Sequence, residues 1–181
     1  MQPTLRPATL ADISAITAIY RPAVLEGTAS FELEPPGVDE MLRRLEGITD
    51  AGYPYFVAEL GGRVAGYAYA NAYRTRPAYR FTVENSVYIA PDAQGKGIGR
   101  VLLAALIDTC TAQGFRLMVA VIGDSANFAS ITLHRRAGFR FCGTLHSVGY
   151  KFGRWLDSVV MELPLGEGDT SAPAERSSQI A

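Results

Sequence analysis

The spacing of apolar positions changes along the chain, and each spacing predicts an element. Residues 4–6 can form a short strand. Thr9 and Asp12 then make a capping box opening a helix with Ile13, Ile16 and Ile19 on its apolar side. Pro22 marks where that helix should end or bend. Met41, Leu42, Leu45 and Ile48 recur at helical spacing and predict a second helix over 38–48. Between the two, residues 27–37 are rich in turn formers and carry one aromatic, Phe31, which reads as a loop with a task. Residues 56–60 and 63–70 flank Gly61-Gly62, a pair that tolerates positive φ and suits a tight antiparallel hairpin.

A loop is expected over 71–80, followed by the β-branched and aromatic run FTVENSVYI at 81–89, a strand that Pro91 ends. Beyond the glycines at 95, 97 and 99, Leu102, Leu103, Leu106, Ile107 and Cys110 form a helical apolar stripe that stops at Gly114. The nearly continuous apolar run 115–122 has the character of a central strand covered on both faces. A short helix over 127–136 follows, and two more strands are predicted over 139–145 and 158–163.

With 181 residues, 48% of them hydrophobic, the chain can build one core and is too short for two ordinary domains. That domain is expected over 1–165. Past Pro164 the composition turns to Gly, Glu, Ser, Pro and Ala, which predicts a disordered tail over 166–181. Seventeen basic and eighteen acidic residues give a net charge of -1, so the broad positive field that nucleic acid or an anionic membrane requires is missing. A small-molecule partner is favoured. No apolar run nears the ~20 residues that span a bilayer, and residues 1–7 lack a secretory pattern, so a soluble, cytoplasmic protein is expected. Cys110 and Cys142 sit among apolar neighbours and read as buried reduced thiols. With His134 and His146 they supply too few convergent ligands for zinc, and no metal is expected.

The segment Gln94-Gly95-Lys96-Gly97-Ile98-Gly99-Arg100 lies directly after a strand and before an amphipathic helix. Its glycines let the backbone approach a ligand, and the free N–H groups of the helix start suit a pyrophosphate. A flexible turn would look the same. Neither the P-loop nor the dinucleotide spacing is present. Glu84, an acid inside an apolar strand, needs a partner or a function unless it faces water. Three arginines, Arg74, Arg76 and Arg80, with Thr75 and Tyr79 among them, form either an anion site or a solvated loop. Asn127 is a good helix N-cap. His134 is either a proton donor or a packed helix-end residue. Residues 151–155, with the only tryptophan, read as a turn packing an aromatic anchor.

Gln94-x-x-Gly97-x-Gly99 after a strand resembles the acyl-CoA signature of the GNAT superfamily of N-acetyltransferases. SFELEPP at 30–36, RPAYRFTVENSVYI at 76–89, MVAVIGDSAN at 118–127, SITLHRRAGF at 130–139 and FGRWLD at 152–157 are similar to its phosphinothricin and methionine sulfoximine acetyltransferases. The resemblance covers about residues 4–165. It implies an α/β fold with a central mixed, largely antiparallel sheet flanked by helices, and acetyl-CoA as co-substrate. By the same resemblance, residues 94–100 hold the pyrophosphate, Asn127 meets the pantetheine arm, and Arg136 meets the coenzyme phosphates. The thioester lies along Val87, Tyr88 and Ile89, where a backbone N–H supports the oxyanion. Glu84 is the general base, directly or through a water, and His134 gives a proton or hydrogen bond to the departing thiolate. Phe31 covers the acceptor, Arg74, Thr75, Arg76 and Tyr79 bind its acidic groups, and Glu84, Asn85 and Ser86 line the amine's side. A homodimer is implied as well. A peptide or protein N-terminal acetyltransferase and a non-catalytic acyl-CoA sensor are the alternatives.

Overall fold

The structure, a computed structural model, describes residues 2–174. In chain order its elements are β1 (Thr4–Pro7), α1 (Ile13–Leu25), α2 (Val38–Asp50), β2 (Tyr55–Leu60), β3 (Arg63–Ala72), β4 (Thr82–Ile89), α3 (Ile98–Ala112), β5 (Leu117–Gly123), α4 (Phe128–Arg136), β6 (Arg140–Lys151) and β7 (Arg154–Pro164). The strands form one sheet in the order β1-β2-β3-β4-β5-β7-β6. Every pairing is antiparallel except that of β4 with β5.

Local chemistry explains most element ends. The Thr9–Asp12 box is present; it opens a short 3-10 turn (Leu10–Asp12) that runs into α1. Pro22 does not end α1, which continues to Leu25. Gly61 and Gly62, at φ 63° and 78°, make the primed hairpin turn between β2 and β3. Arg6 grips Asp12 with both arms of its guanidinium, each at 2.7 Å, and this pair holds the Asp12 carboxyl down to about 2. Ile98, Leu102, Leu103 and Leu106 of α3 are fully buried against the sheet, each contributing about 2 kcal/mol of apolar burial.

Several expectations need correction. Asn71 and Ala72 belong to β3 rather than to the following loop. β6 and β7 are much longer than their sequence suggests, because a bulge between Leu145 and Gly149 breaks the alternation while pairing resumes up to Lys151↔Arg154. Phe152 and Gly153, at φ 53° and 72°, turn this hairpin, and Trp155 is not a buried anchor: it is 63% exposed, edge-on to Tyr150. Cys110 is buried, but Cys142 lies exposed on β6, near the open edge of the sheet. Part of the tail is ordered: Leu165 and Gly168 are buried, and Arg116 holds Ser171 Oγ at 2.7 Å. The remainder of the expected tail, residues 175–181, lies outside the described residues.

Candidate active site

The sheet divides at its parallel junction. β4 and β5 pair only from Thr82↔Leu117 to Glu84↔Val119, whereas β4 stays paired with β3 as far as Ile89↔Gly66. Residues 85–89 therefore have a partner on one edge and a gap on the other. Ala90 N–H donates to Ala65 O across to β3, and the alternation of an antiparallel ladder then turns the Val87 and Ile89 N–H groups to the gap. Val121 of β5, expected to be covered, is 41% exposed where β4 has parted from it.

At the end of β4 the chain turns through Pro91–Ala93 into the glycine segment and α3. Gly95 and Gly97 stand at φ 74° and 80°, backbone that a side chain strains, and a Cβ at either would meet nothing within 4 Å. No side chain caps α3, so its first N–H groups face outward with the positive end of the dipole. Gln94, Lys96 and Arg100 are exposed around this turn, while Ile98 is buried beneath it. An anionic pyrophosphate fits. Gly99 has a different task from its two neighbours: a Cβ there would come within 3.3 Å of Leu133, so it lets α4 pack against α3.

Alternation along β4 puts Glu84, Ser86 and Tyr88 on one face and Asn85, Val87 and Ile89 on the other. On the first face Tyr88 meets Tyr20 of α1 edge-on at 4.9 Å and stacks with Tyr67 at 5.2 Å. Glu84 is half-buried and makes no ion pair among the described residues. Burial pushes its carboxyl above the usual range, and Arg74 pulls partly the other way. Asn71, its partner across β3, lines a cavity of about 330 Å³ with Tyr20, Arg44, Tyr55, Tyr67 and Tyr69. Sequence reasoning did not single out this tyrosine-lined space, because its walls come from β2, β3, α1 and α2 and share no local motif.

Asn85, expected with Glu84 and Ser86 on the amine's side, does not share their face. Its side chain leaves β4 on the opposite face, where it is buried, and Nδ2 donates to Val119 O at 3.1 Å. Its Oδ1 lies 2.9 Å from Nε2 of His134, whose Nδ1 is 2.8 Å from Ser130 O. Burial lowers the His134 pKa, and the Ser130 carbonyl partly raises it. Asn127 caps α4 by accepting from Ser130 N–H at 3.2 Å, and Arg136 is exposed in the last turn.

The arginine loop is largely solvated. Arg74 lies over the Tyr73 ring at 4.2 Å, Arg80 over Phe81 at 4.5 Å, and Thr75, Arg76 and Tyr79 are exposed. Phe31 is brought to the far lip of the fork, where its ring fills the space beside Gly123 and Gly149; a Cβ on Gly149 would come within 2.5 Å of it. The staple is Lys151, which sequence reasoning took for part of a turn. It is buried, and Nζ donates to Gly27 O at 2.9 Å and to Ser30 O at 2.7 Å, tying the Phe31 loop to β6. A single lysine beside a turn gives no sequence signal for such a role.

The family model of the acetyltransferase (GNAT) domain matches residues 5–160. The chain belongs to the GNAT acetyltransferase family. Among GNAT relatives, the phosphinothricin N-acetyltransferase of Alcaligenes faecalis is 54% identical over 170 residues, covering 94% of this chain and 86% of that one. The L-methionine sulfoximine/L-methionine sulfone acetyltransferase of Pseudomonas paraeruginosa is 44% identical, covering 96% of this chain and all of its own. A crystal structure of a GNAT phosphinothricin acetyltransferase from Sinorhizobium meliloti in complex with AcCoA superposes with a TM-score of 0.94 at 52% identity, over 97% of this chain and 95% of that one. This GNAT chain is thus an N-acetyltransferase with the mixed sheet that its sequence implied.

Proposed function

We propose that this enzyme transfers acetyl from acetyl-CoA to the α-amino group of a small amino-acid-like substrate with an acidic or strongly polar side chain. Phosphinothricin, methionine sulfoximine and methionine sulfone are the type. The observation that carries the reading is the half-buried, unpaired Glu84 at the point where β4 and β5 separate. A carboxylate with a raised pKa is a stronger base than a solvated one, and it faces the cavity side of the strand.

The donor's pyrophosphate is held by the backbone of residues 94–100, and its arm by Asn127 at the gap. Arg136 is one helical turn from Leu133, which abuts Gly99, and so stands near the coenzyme phosphates. A free α-amine with a pKa of about 8 is largely protonated at neutral pH, so Glu84 removes one proton before attack. The new C–N bond forms as the C–S bond breaks. An N–H of Val87 or Ile89 in the gap stabilises the oxyanion, the electron pair stays on sulfur, and the amine's second proton balances the thiolate. His134 offers the hydrogen bond at sulfur. Arg74 and Arg76, with Thr75 and Tyr79, attract the acceptor's acidic groups, Ser86 lines its amine side, and Phe31 covers it.

The enzyme is read as a cytoplasmic homodimer. Phe141, Leu145, Val148, Tyr150 and Trp155 leave an apolar strip exposed on the β6–β7 hairpin, which favours a second copy there. Thiol release from acetyl-CoA tests the substrate class: it should appear with the three amino-acid analogues and not with short peptides, and the opposite pattern rejects it.

A further inference from the structure

A backbone carbonyl can only accept, so the contact to Val119 O fixes the Asn85 amide with Nδ2 toward β5 and Oδ1 toward His134. Oδ1 is also only an acceptor. At 2.9 Å from it, Nε2 is matched when it carries hydrogen, and Nδ1, 2.8 Å from the Ser130 carbonyl, is matched in the same way, so the charged ring satisfies both contacts. On the other edge of the ring Ser130 presents two different groups to Nδ1: its carbonyl at 2.8 Å and its hydroxyl at 3.4 Å. The carbonyl accepts from a charged ring, which has N–H on both nitrogens. The hydroxyl can donate to the lone pair of a neutral one.

We infer that Asn85 is a positioning residue that keeps a hydrogen on Nε2 of His134, the ring edge at the fork, in both charge states of the imidazole. Without Asn85 the neutral ring would place its hydrogen on Nδ1, where the nearer group is the Ser130 carbonyl. Nothing charged competes for the ring among the described residues. Arg135 and Arg136 of its own helix are exposed, Glu84 leaves β4 on the opposite face, β5 offers Val119 O to Asn85, and Phe139 meets the ring edge-on at 5.0 Å. In the neutral ring one of the two acceptor contacts must be given up, and the Ser130 hydroxyl, 3.4 Å from Nδ1, can donate there, while Asn85, held by the carbonyl of the last β5 residue paired with β4, offers Nε2 only an acceptor. The catalytic consequence rests on the acetyl-transfer reading: Nε2–H is the donor held ready for sulfur, with Asn85 Oδ1 as its resting acceptor.

Long-range 1H–15N NMR of the intact protein, above the pH at which His134 titrates, reads the tautomer without any turnover. Wild type should show hydrogen on Nε2, and Asn85→Leu should move it to Nδ1. Asn85→Leu should also lower kcat about tenfold while the KM for acetyl-CoA changes by less than about twofold. Asn85→Asp keeps an acceptor at Nε2 while losing the donor to Val119 O, so hydrogen should stay on Nε2 and the imidazole pKa should rise. A wild-type spectrum with hydrogen on Nδ1 overturns the inference, and so does an Asn85→Leu variant with unchanged tautomer and kcat. Should Asn85→Leu not fold, the wild-type spectrum alone decides. If wild type acetylated no acceptor, the functional reading would fail while the tautomer was still measured.

Discussion

The two faces of β4 carry neighbouring polar residues in opposite circumstances. On one, Glu84 is half-buried with no ion-pair partner among the described residues and a carboxyl pushed above its usual range. On the other, Asn85 is buried with both ends of its amide bonded. A strand's period of two is what makes this possible: residues one apart look to opposite faces, which the proposed reaction assigns to the acceptor and to the donor. The contrast separates two tasks. On the proposed reading, an unsatisfied Glu84 takes a proton and a satisfied Asn85 holds a neighbour still.

The sharpest test of this contrast is Glu84→Gln. Removing the base should lower kcat by roughly 10²- to 10⁴-fold, with acetyl-CoA affinity by calorimetry unchanged. Stability should move differently from activity. The folded-state pKa of Glu84 lies above its unfolded value, so ionisation is penalised in the folded protein. The penalty is absent below the unfolded pKa and grows as pH rises through the folded one. At pH 7 the amide variant should therefore keep or raise the Tm, and a clear loss of Tm would mean that Glu84 is a structural partner instead.

The donor compartment can be probed at its backbone. Gly97→Ala forces a side chain onto φ 80°, a strain of about 1–2 kcal/mol, and the KM for acetyl-CoA should rise about tenfold with the acceptor KM unaffected. Equal effects on both substrates would blur the division between the faces.

This donor side is where the sequence was most legible. Glycines at 95 and 97, the helix stripe behind them and the apolar run of β5 are each local signals, and each predicted element is present. The residues that resist such reading act across long separations. Asn85 meets His134 forty-nine positions away, and Lys151 reaches Ser30 across 121. Asn85 was expected beside Glu84 and Ser86, three consecutive strand residues that a period of two cannot keep on one face. The length of β6 was hidden by its bulge, which puts Ser147 at φ 53° and interrupts the period that strand recognition depends on.

On the acceptor side, the exposed arginine loop should matter for capture more than for chemistry. Arg76→Ala is expected to raise the KM for an acidic acceptor severalfold and leave kcat within about twofold, the signature of lost uniform binding. The same substitution should change little for an uncharged amine. If neither constant moves, the loop is scaffold, and the polar groups of the tyrosine-lined cavity would have to supply recognition instead.

The smallest effect is the most specific. Among the described residues Arg74 is the one charge that opposes burial at Glu84, so Arg74→Ala should raise the Glu84 pKa further. The sign follows from the carboxylate's losing a nearby positive charge, which favours the protonated, inactive base. The acid limb of kcat/KM should therefore move to higher pH, with the plateau rate nearly unchanged, and added salt should reduce the difference between wild type and variant because Arg74 is exposed and screened. A limb that moved to lower pH, or a salt-independent shift, would place Arg74's influence somewhere other than the Glu84 carboxylate. An unmoved limb together with a wild-type plateau would instead show the ionisation of Glu84 to be governed by burial alone, which leaves the division between the two faces of β4 intact and removes the arginine from it.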